Sequence, residues 1–240
     1  MSRRTNDQIK QAIKTEVTNL GFLLHGFTTP EPIQSFSAYK RWIQQGFHAQ
    51  MTYLARPDAM EKRQKPKLLM PEVKTILVLG IPYTAPQNQT SSLFSGYAQG
   101  DDYHDVIRQH LSGFQCWLES LLDHSVTMRI FTDTAPVMEK ALAVRAGLGW
   151  TGKNSLVIHP DFGSFFFLTE IFMDIELPPD QPFTQDLCGG CTKCIEHCPT
   201  KAILPHHLIN SNRCLSYLTI EKKGMFSESE CKGIKASVFG

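Results

Sequence analysis

Residues 188–199 read CGGCTKCIEHCP, and no other stretch restricts this chain as tightly. Four cysteines fall within eleven residues and a proline follows the last of them. The spacing C-x2-C-x2-C-x3-C-P is the bacterial arrangement for [4Fe–4S] ligation, in which the fourth thiolate serves a different cluster from the first three. Cys188, Cys191 and Cys194 are spaced so that a tight loop can wrap three corners of a cubane, and Gly189 and Gly190 permit close approach of the backbone. Cys198 then points toward a second site, and Pro199 turns the chain. Structural zinc normally uses two separated ligand pairs, so the crowding favours iron–sulfur.

Two such clusters need eight thiolates, and the chain has seven cysteines. Cys214, sixteen residues after Cys198 in NRCLSYLTIE, can join Cys198 on a second cluster. Cys231 in SESECKG is the remaining candidate, with an exposed bystander thiol as the plainer reading. Cys116 lies within a long amphipathic helical stretch and reads as a core or surface thiol, not a ligand. Metal ligation by these cysteines presupposes a reducing compartment. The opening MSRRTNDQIKQAIK carries a twin arginine, but Asp7, Gln8, Lys10 and Gln11 follow where an export signal needs an apolar stretch. No apolar run approaches the ~20 residues of a membrane span. A cytoplasmic protein is expected.

Charge is balanced, with 24 basic and 23 acidic residues, so composition gives no polyelectrolyte argument for a nucleic-acid partner. The cluster Lys62, Arg63, Lys65 and Lys67 reads as a solvated face. Ile9, Ala12, Ile13, Val17 and Leu20 recur at helical spacing, with Asn6 or Asp7 as cap and Gly21 as stop. A second helix carries Trp42 and Ile43 and ends at Gly46. TILVLGIPY (75–83) is a buried strand, and PQNQTSS (86–92) a polar loop. One long helix is expected to place Val106, Ile107, Leu111, Phe114, Leu118 and Leu121 on a single stripe. VTMRIF (126–131) is a further strand. It leads into a helix with Pro136 in its first turn and Gly147 at its end. SFFFLTEIF (164–172) is apolar enough for a strand covered on both faces. The proline-rich LPPDQP (177–182) is the best boundary, dividing the chain into 1–178 and 179–240.

Nearly the whole chain resembles the epoxyqueuosine reductases. The resemblance is carried by GFHAQMTYLARPDAMEKRQKPKLLMPEVKTILVLGIPY, YAQGDDYHDVIRQHL, FTDTAPVMEKALAVRAGLGWTGKNSLVIHPDFGSFFFLTEIF, the cysteine run and NRCLSYLTIEKKG. It implies an α+β, nitroreductase-like cobalamin-binding domain followed by a ferredoxin-like module with two [4Fe–4S] clusters. The reaction it implies is reductive removal of the epoxide oxygen of epoxyqueuosine at the wobble position of tRNA, giving queuosine. The implied enzyme is a cytoplasmic monomer fed by an external donor such as a flavodoxin or ferredoxin. Family members continue past a VFG element into a second cysteine motif, and here VFG is residues 238–240. On that comparison the chain is expected to lack three cluster ligands and to hold at most one cluster stably. Two alternatives accompany this reading: a reductive-dehalogenase-like enzyme, whose usual twin-arginine signal is missing, and a truncated, non-catalytic cobalamin-binding protein.

The resemblance also assigns residues. It makes Asp133 the proton donor, whereas the residues alone read Asp133 or Thr134 as a helix cap. A helix N-terminus favours the carboxylate, and a general acid needs the opposite influence from burial. Gly152, Lys153 and Asn154 in GWTGKNS would lie at the cobalamin, the glycine allowing close approach and Lys153 meeting a phosphate of the nucleotide tail; a plain loop is the local alternative. Arg56 and Tyr97 match positions near the corrin. Tyr103 and His104 would line the substrate side, or serve as a core-edge tyrosine and a structural histidine. Cys188, Cys191, Cys194, Cys198 and Cys214 are the implied metal ligands.

Overall fold

The computed structural model describes residues 4–83, 94–234 and 239; the polar loop expected at 86–92 lies outside them. Its centre is a four-stranded antiparallel sheet in the order β1 (Leu24–Thr28), β2 (Thr75–Pro82), β6 (Phe166–Met173), β3 (Met128–Phe131). The two inner strands pair along their full length, from Thr75 opposite Met173 to Pro82 opposite Phe166. Both are near-continuously apolar because both faces of the sheet are covered. Ile76, Val78 and Phe172 face one core, with Leu142 and Ala143 of α6 (Glu139–Arg145), Ala146 just past its end, and Phe36 of α2 (Phe36–Gln44). Leu77, Leu79 and Ile171 face the other, with Ile13 and Val17 of α1 (Asn6–Asn19) and with the pair α4 (Tyr103–His110) and α5 (Phe114–Leu122). Phe172 is wholly buried, and its truncation to alanine would cost about 3–5 kcal/mol.

Three helix expectations are corrected. The cap of α1 is Thr5, whose side chain and that of Gln8 close a reciprocal capping box; Asn6 and Asp7 are already helical. The single long helix is two, broken at Gly113, whose φ of +118° no side-chain-bearing residue adopts without strain. The helix after β3 starts at Glu139, so Pro136 lies in an irregular turn before it and not in its first turn. The stops expected at Gly21, Gly46 and Gly147 hold, each taking positive φ just past its helix.

The segment proposed as a boundary is pinned to the sheet. Leu177 is buried and donates its N–H to Thr75 Oγ1 at 3.0 Å. Asp180 receives Lys10 and Lys14 Nζ, both at 2.9 Å, and the Phe27 N–H at 2.9 Å. Beyond it the chain forms short elements: α7 (Lys193–His197), the hairpin β7 (Ile203–Leu204) and β8 (Leu208–Ile209), a π-helical turn at Tyr217–Glu221, and α8 (Glu228–Ile234). This part docks on α2 and the turn after it. Trp42 Nε1 donates to Ile209 O at 2.6 Å, and Asn212 Nδ2 to Gly46 O at 3.0 Å. No helix among the described residues is long and apolar enough to cross a membrane.

Candidate active site

Asp133 stands where the outer strand β3 runs out. The strand end is fixed through Thr169, which donates its hydroxyl to Phe131 O at 2.8 Å and lies 2.7 Å from the Thr132 hydroxyl. The next residue turns into the left-handed region, with φ +53° at Asp133. Such a backbone costs on the order of 1 kcal/mol or more and persists where its surroundings over-determine it. Here they do so twice. The Asp133 N–H donates to Glu139 Oε1 at 2.7 Å, and Tyr103 donates its hydroxyl to Asp133 Oδ2 at 2.8 Å. Asp133 is therefore no helix cap: the cap position is Met138, and the carboxylate is free of the helix and aimed at solvent-accessible space.

Two clefts adjoin at this point. One, of about 440 Å³, is lined by Ile81, Tyr83, Tyr97, Tyr103 and Phe167 among others. The other, of about 190 Å³, is lined by Asp133, Glu139, Lys140, Leu156 and Phe166, and shares Tyr103 and Phe167 with the first. The Tyr103 ring lies flat on Phe167, centroids 4.2 Å apart and planes 6° from parallel. Tyr83 leans on Phe167 at 4.7 Å with its plane tilted by 35°. The shared wall is thus aromatic, a stack of rings with Asp133 lining the smaller cleft next to it. Burial, followed by the charge of Asp133, pushes the Tyr97 phenol up. Tyr53, missed in the sequence, is pushed up to about 12 by burial, by its 3.0 Å bond to Glu221 and by Asp133.

Two further carboxyls stand behind Asp133, and sequence reasoning missed both. Burial pushes Glu139 up to about 7; the Asp133 N–H, Lys140 and Arg63 oppose that rise, and the Asp133 charge adds to it. Glu170 is 0% exposed in the middle of β6, and neither of its carboxyl oxygens has a partner among the described residues. Burial, then the charges of Glu139 and Asp133, drive it well above the usual carboxylate range. The signal was present as the one ionisable residue in SFFFLTEIF, where only the chain's folding reveals that it has no exit to water.

The other expected site residues scatter. Arg56 is exposed and pairs with Asp58 through Nε and Nη2 at 3.1 and 2.8 Å. His104 is held at the start of α4 by Asp102, its Nδ1 2.8 Å from Oδ1 and its ring stacked on Tyr103. Gly152 opens the turn between β4 (Trp150–Thr151) and β5 (Val157–Ile158), where a Cβ would meet Ile158 Cδ1 at 2.5 Å. The hairpin's own packing accounts for that glycine. Asn154 Oδ1 accepts the Leu156 N–H at 3.2 Å. Lys153 Nζ reaches the cysteine loop, donating to Gly189 O at 2.7 Å and Cys191 O at 2.9 Å.

Cys188 and Cys191 lie in that loop, Cys194 in α7 and Cys198 at its end, and Cys214 ends a 3-10 turn at Ser211–Arg213. All are free thiols. Cys198 Sγ accepts the Ala202 N–H at 3.2 Å, and Cys188 Sγ the Trp150 indole N–H at 3.3 Å. Among the described residues no three His, Cys, Asp or Glu side chains converge as on a single ion. Thiolates that grip the corners of a cubane stand wider apart than ligands of one ion, and the donor chemistry suits the cluster. Cys231 on α8 and Cys116 on α5 are exposed.

Two family profiles match the chain: "Epoxyqueuosine reductase QueG, DUF1730" over residues 63–134, and "4Fe-4S double cluster binding domain" over residues 187–240. An epoxyqueuosine reductase from Cyclobacterium marinum is 38% identical over 242 residues, covering 98% of this chain and 77% of that protein. A crystal structure of an epoxyqueuosine reductase with an epoxyqueuosine-modified tRNA-Tyr stem loop superposes with a TM-score of 0.85 at 32% identity, covering 98% of this chain and 63% of that one. One from Bacillus subtilis, with its catalytic aspartate loop swung out of the active site, gives a TM-score of 0.82 at 32% identity, again 98% of this chain and 63% of the other. A catabolic reductive dehalogenase shares the fold alone, at TM-score 0.55 and 16% identity.

Proposed function

The chain belongs to the epoxyqueuosine reductase family, and from that premise we propose that it reduces the epoxide of epoxyqueuosine to the alkene of queuosine in tRNA. The observation that carries the reading is Asp133, held by Tyr103 and Glu139 at the edge of an aromatic-walled cleft. Epoxide opening needs a proton delivered to the oxygen, and a positioned carboxyl within reach of the substrate is suited to that task. The relative whose catalytic aspartate loop is swung out of the active site supports the assignment, because Asp133 here sits in an irregular turn and outside any helix or strand.

The stacked rings of Tyr103 and Phe167, with Tyr83 tilted against Phe167, give an apolar wall suited to the hydrocarbon body of a corrin, and Asp133 lines the adjoining cleft. Tyr97 lines the larger cleft, and with Arg56, Asp133, Gly152 and Asn154 it would hold cobalamin, while Lys153 is engaged by the cysteine loop. A low-valent cobalt bound there supplies the reducing chemistry that no side chain has. The cysteine loop, tied to the β4–β5 hairpin through Lys153 and Trp150, would bring electrons from Cys188, Cys191 and Cys194 toward the cleft, with Cys198 and Cys214 serving the second cluster. An external flavodoxin- or ferredoxin-type protein is the donor in this reading, and the enzyme works as a cytoplasmic monomer whose catalytic part is 1–178 and whose electron-transfer part is 179–240.

The test is anaerobic reconstitution with iron, sulfide and cobalamin, followed by incubation with epoxyqueuosine tRNA and a reductant. Mass analysis of the released nucleosides should show loss of one oxygen. Unchanged epoxyqueuosine with fully loaded protein overturns the reading.

A further inference from the structure

Removing an epoxide oxygen as water takes more than one proton. Both C–O bonds break, a C=C bond forms, and the oxygen leaves with two protons. The two electrons come from the one-electron protein donor class named above. A single Asp133 carboxyl carries one proton at a time. The second must come from water or from the protein.

Behind Asp133 the protein holds a group that fits that need. Register places Glu170 opposite Phe131 on β3 and Val78 on β2. Directly paired residues of an antiparallel sheet share a face, and Phe131 and Val78 belong to the core that contains Leu142 and Ala143 of α6. Glu170 therefore points toward the helix whose first residue is Glu139. Glu139 in turn accepts the backbone N–H of Asp133 at 2.7 Å. The groups around this line are Asp133 after β3, Glu139 and Lys140 on α6, Tyr103 on α4 and Arg63 on α3 (Pro57–Gln64). Lys140 Nζ is bonded to Ser155 O at 2.9 Å, and neither Lys140 nor Arg63 bonds Glu170. An unpartnered carboxyl inside a sheet is a burden on the fold that an apolar residue would not impose.

We propose that Glu170 and Glu139 form a proton reserve behind Asp133, holding a proton inside the protein and returning it to the Asp133 carboxyl after the first transfer. The proposal rests on the reading of Asp133 as donor. Its protonated resting state agrees with burial, which holds Glu170 neutral and brings Glu139 to about 7.

The experiment has a readout that needs no cofactor. Infrared spectra of the full chain at pH 7 should contain a protonated-carboxyl C=O band that shifts in D2O and is lost in Glu170→Gln. Loaded Glu170→Gln should turn over about tenfold more slowly, less than the ~10²–10⁴ of a direct acid–base group because Asp133 remains, with the alkaline limb of its pH–rate profile moved to lower pH and the tRNA KM unchanged. An ionised Glu170 at pH 7, or a band lost without change in the pH profile, overturns the proposal. Should Glu170→Gln fail to fold, the wild-type band and its titration decide. Asp133→Asn separates the two readings: inactive Asp133→Asn with an unaltered Glu170→Gln profile removes the reserve and leaves the donor, whereas active Asp133→Asn removes both.

Discussion

The indole N–H of Trp150 donates to Cys188 Sγ at 3.3 Å, joining the hairpin beside the cleft to the first cysteine of the cluster loop. Hydrogen bonds to a ligand sulfur stabilise the more negative, reduced cluster and raise its potential. Trp150→Phe keeps most of the ring and removes the donor. The potential of the cluster bound by Cys188 should fall by on the order of 50 mV, close to the ~59 mV that a tenfold change means for one electron. An EPR-monitored redox titration reads it, and an unchanged midpoint would assign the contact to packing.

Tyr103→Phe addresses the other end of the site. The ring stacking on Phe167 survives, and the hydroxyl that holds Asp133 Oδ2 at 2.8 Å is lost. Loss of one hydrogen bond to a charged group costs about 1.5–3 kcal/mol, and part of that should appear as a mispositioned carboxyl. The expected outcome is a fall in kcat of about tenfold with little change in KM, which is the pattern of an interaction made in the transition state. A rise in KM with kcat unchanged would move Tyr103 to a substrate-holding role.

Lys153→Met tests where that ammonium acts. Its two bonds to Gly189 O and Cys191 O hold the loop that carries two of the proposed ligands. Their removal should speed iron loss in air about tenfold, with cobalamin retention unchanged, since two charge-assisted bonds are lost at a partly exposed site. Iron release followed with a chelator measures it. Weaker cobalamin retention with stable iron would instead place Lys153 at the nucleotide tail.

The strands were legible because burial on both faces writes itself as an apolar run, as in Thr75–Pro82. The break at Gly113 was not, because Ile107, Leu111, Phe114 and Leu118 all enter the same core on either side of it. A continuous stripe can be shared by two helices. The late start of α6 was hidden for a different reason. Pro136 suits a first turn locally, and the contact that accompanies the delay is Glu139 on the backbone of Asp133. The cysteine run announced its chemistry by spacing alone. Trp150 and Lys153 could not announce their partners, which lie 38, 36 and 38 residues downstream. The meaning of Glu170 depends on its being cut off from bulk solvent, and periodicity does not record that.

Asp180 offers a test on the fold itself. Burial alone would raise its carboxyl, but the Lys10 ammonium, the Phe27 N–H and the Lys14 ammonium outweigh that and hold it below the usual carboxylate range. A group whose folded value is depressed contributes stability above its unfolded value and loses it as pH falls through the folded one. Asp180→Asn should cost about 2 kcal/mol at neutral pH, in the range for hydrogen bonds to a charged group that is mostly buried. The gap between wild type and variant should stay constant down to about pH 4, the unfolded carboxylate value, and narrow below it. Urea titrations at a series of pH values measure both. A gap independent of pH would mean that the bond to Phe27, which an amide oxygen can also accept, and not the charge, ties this segment to α1 and β1.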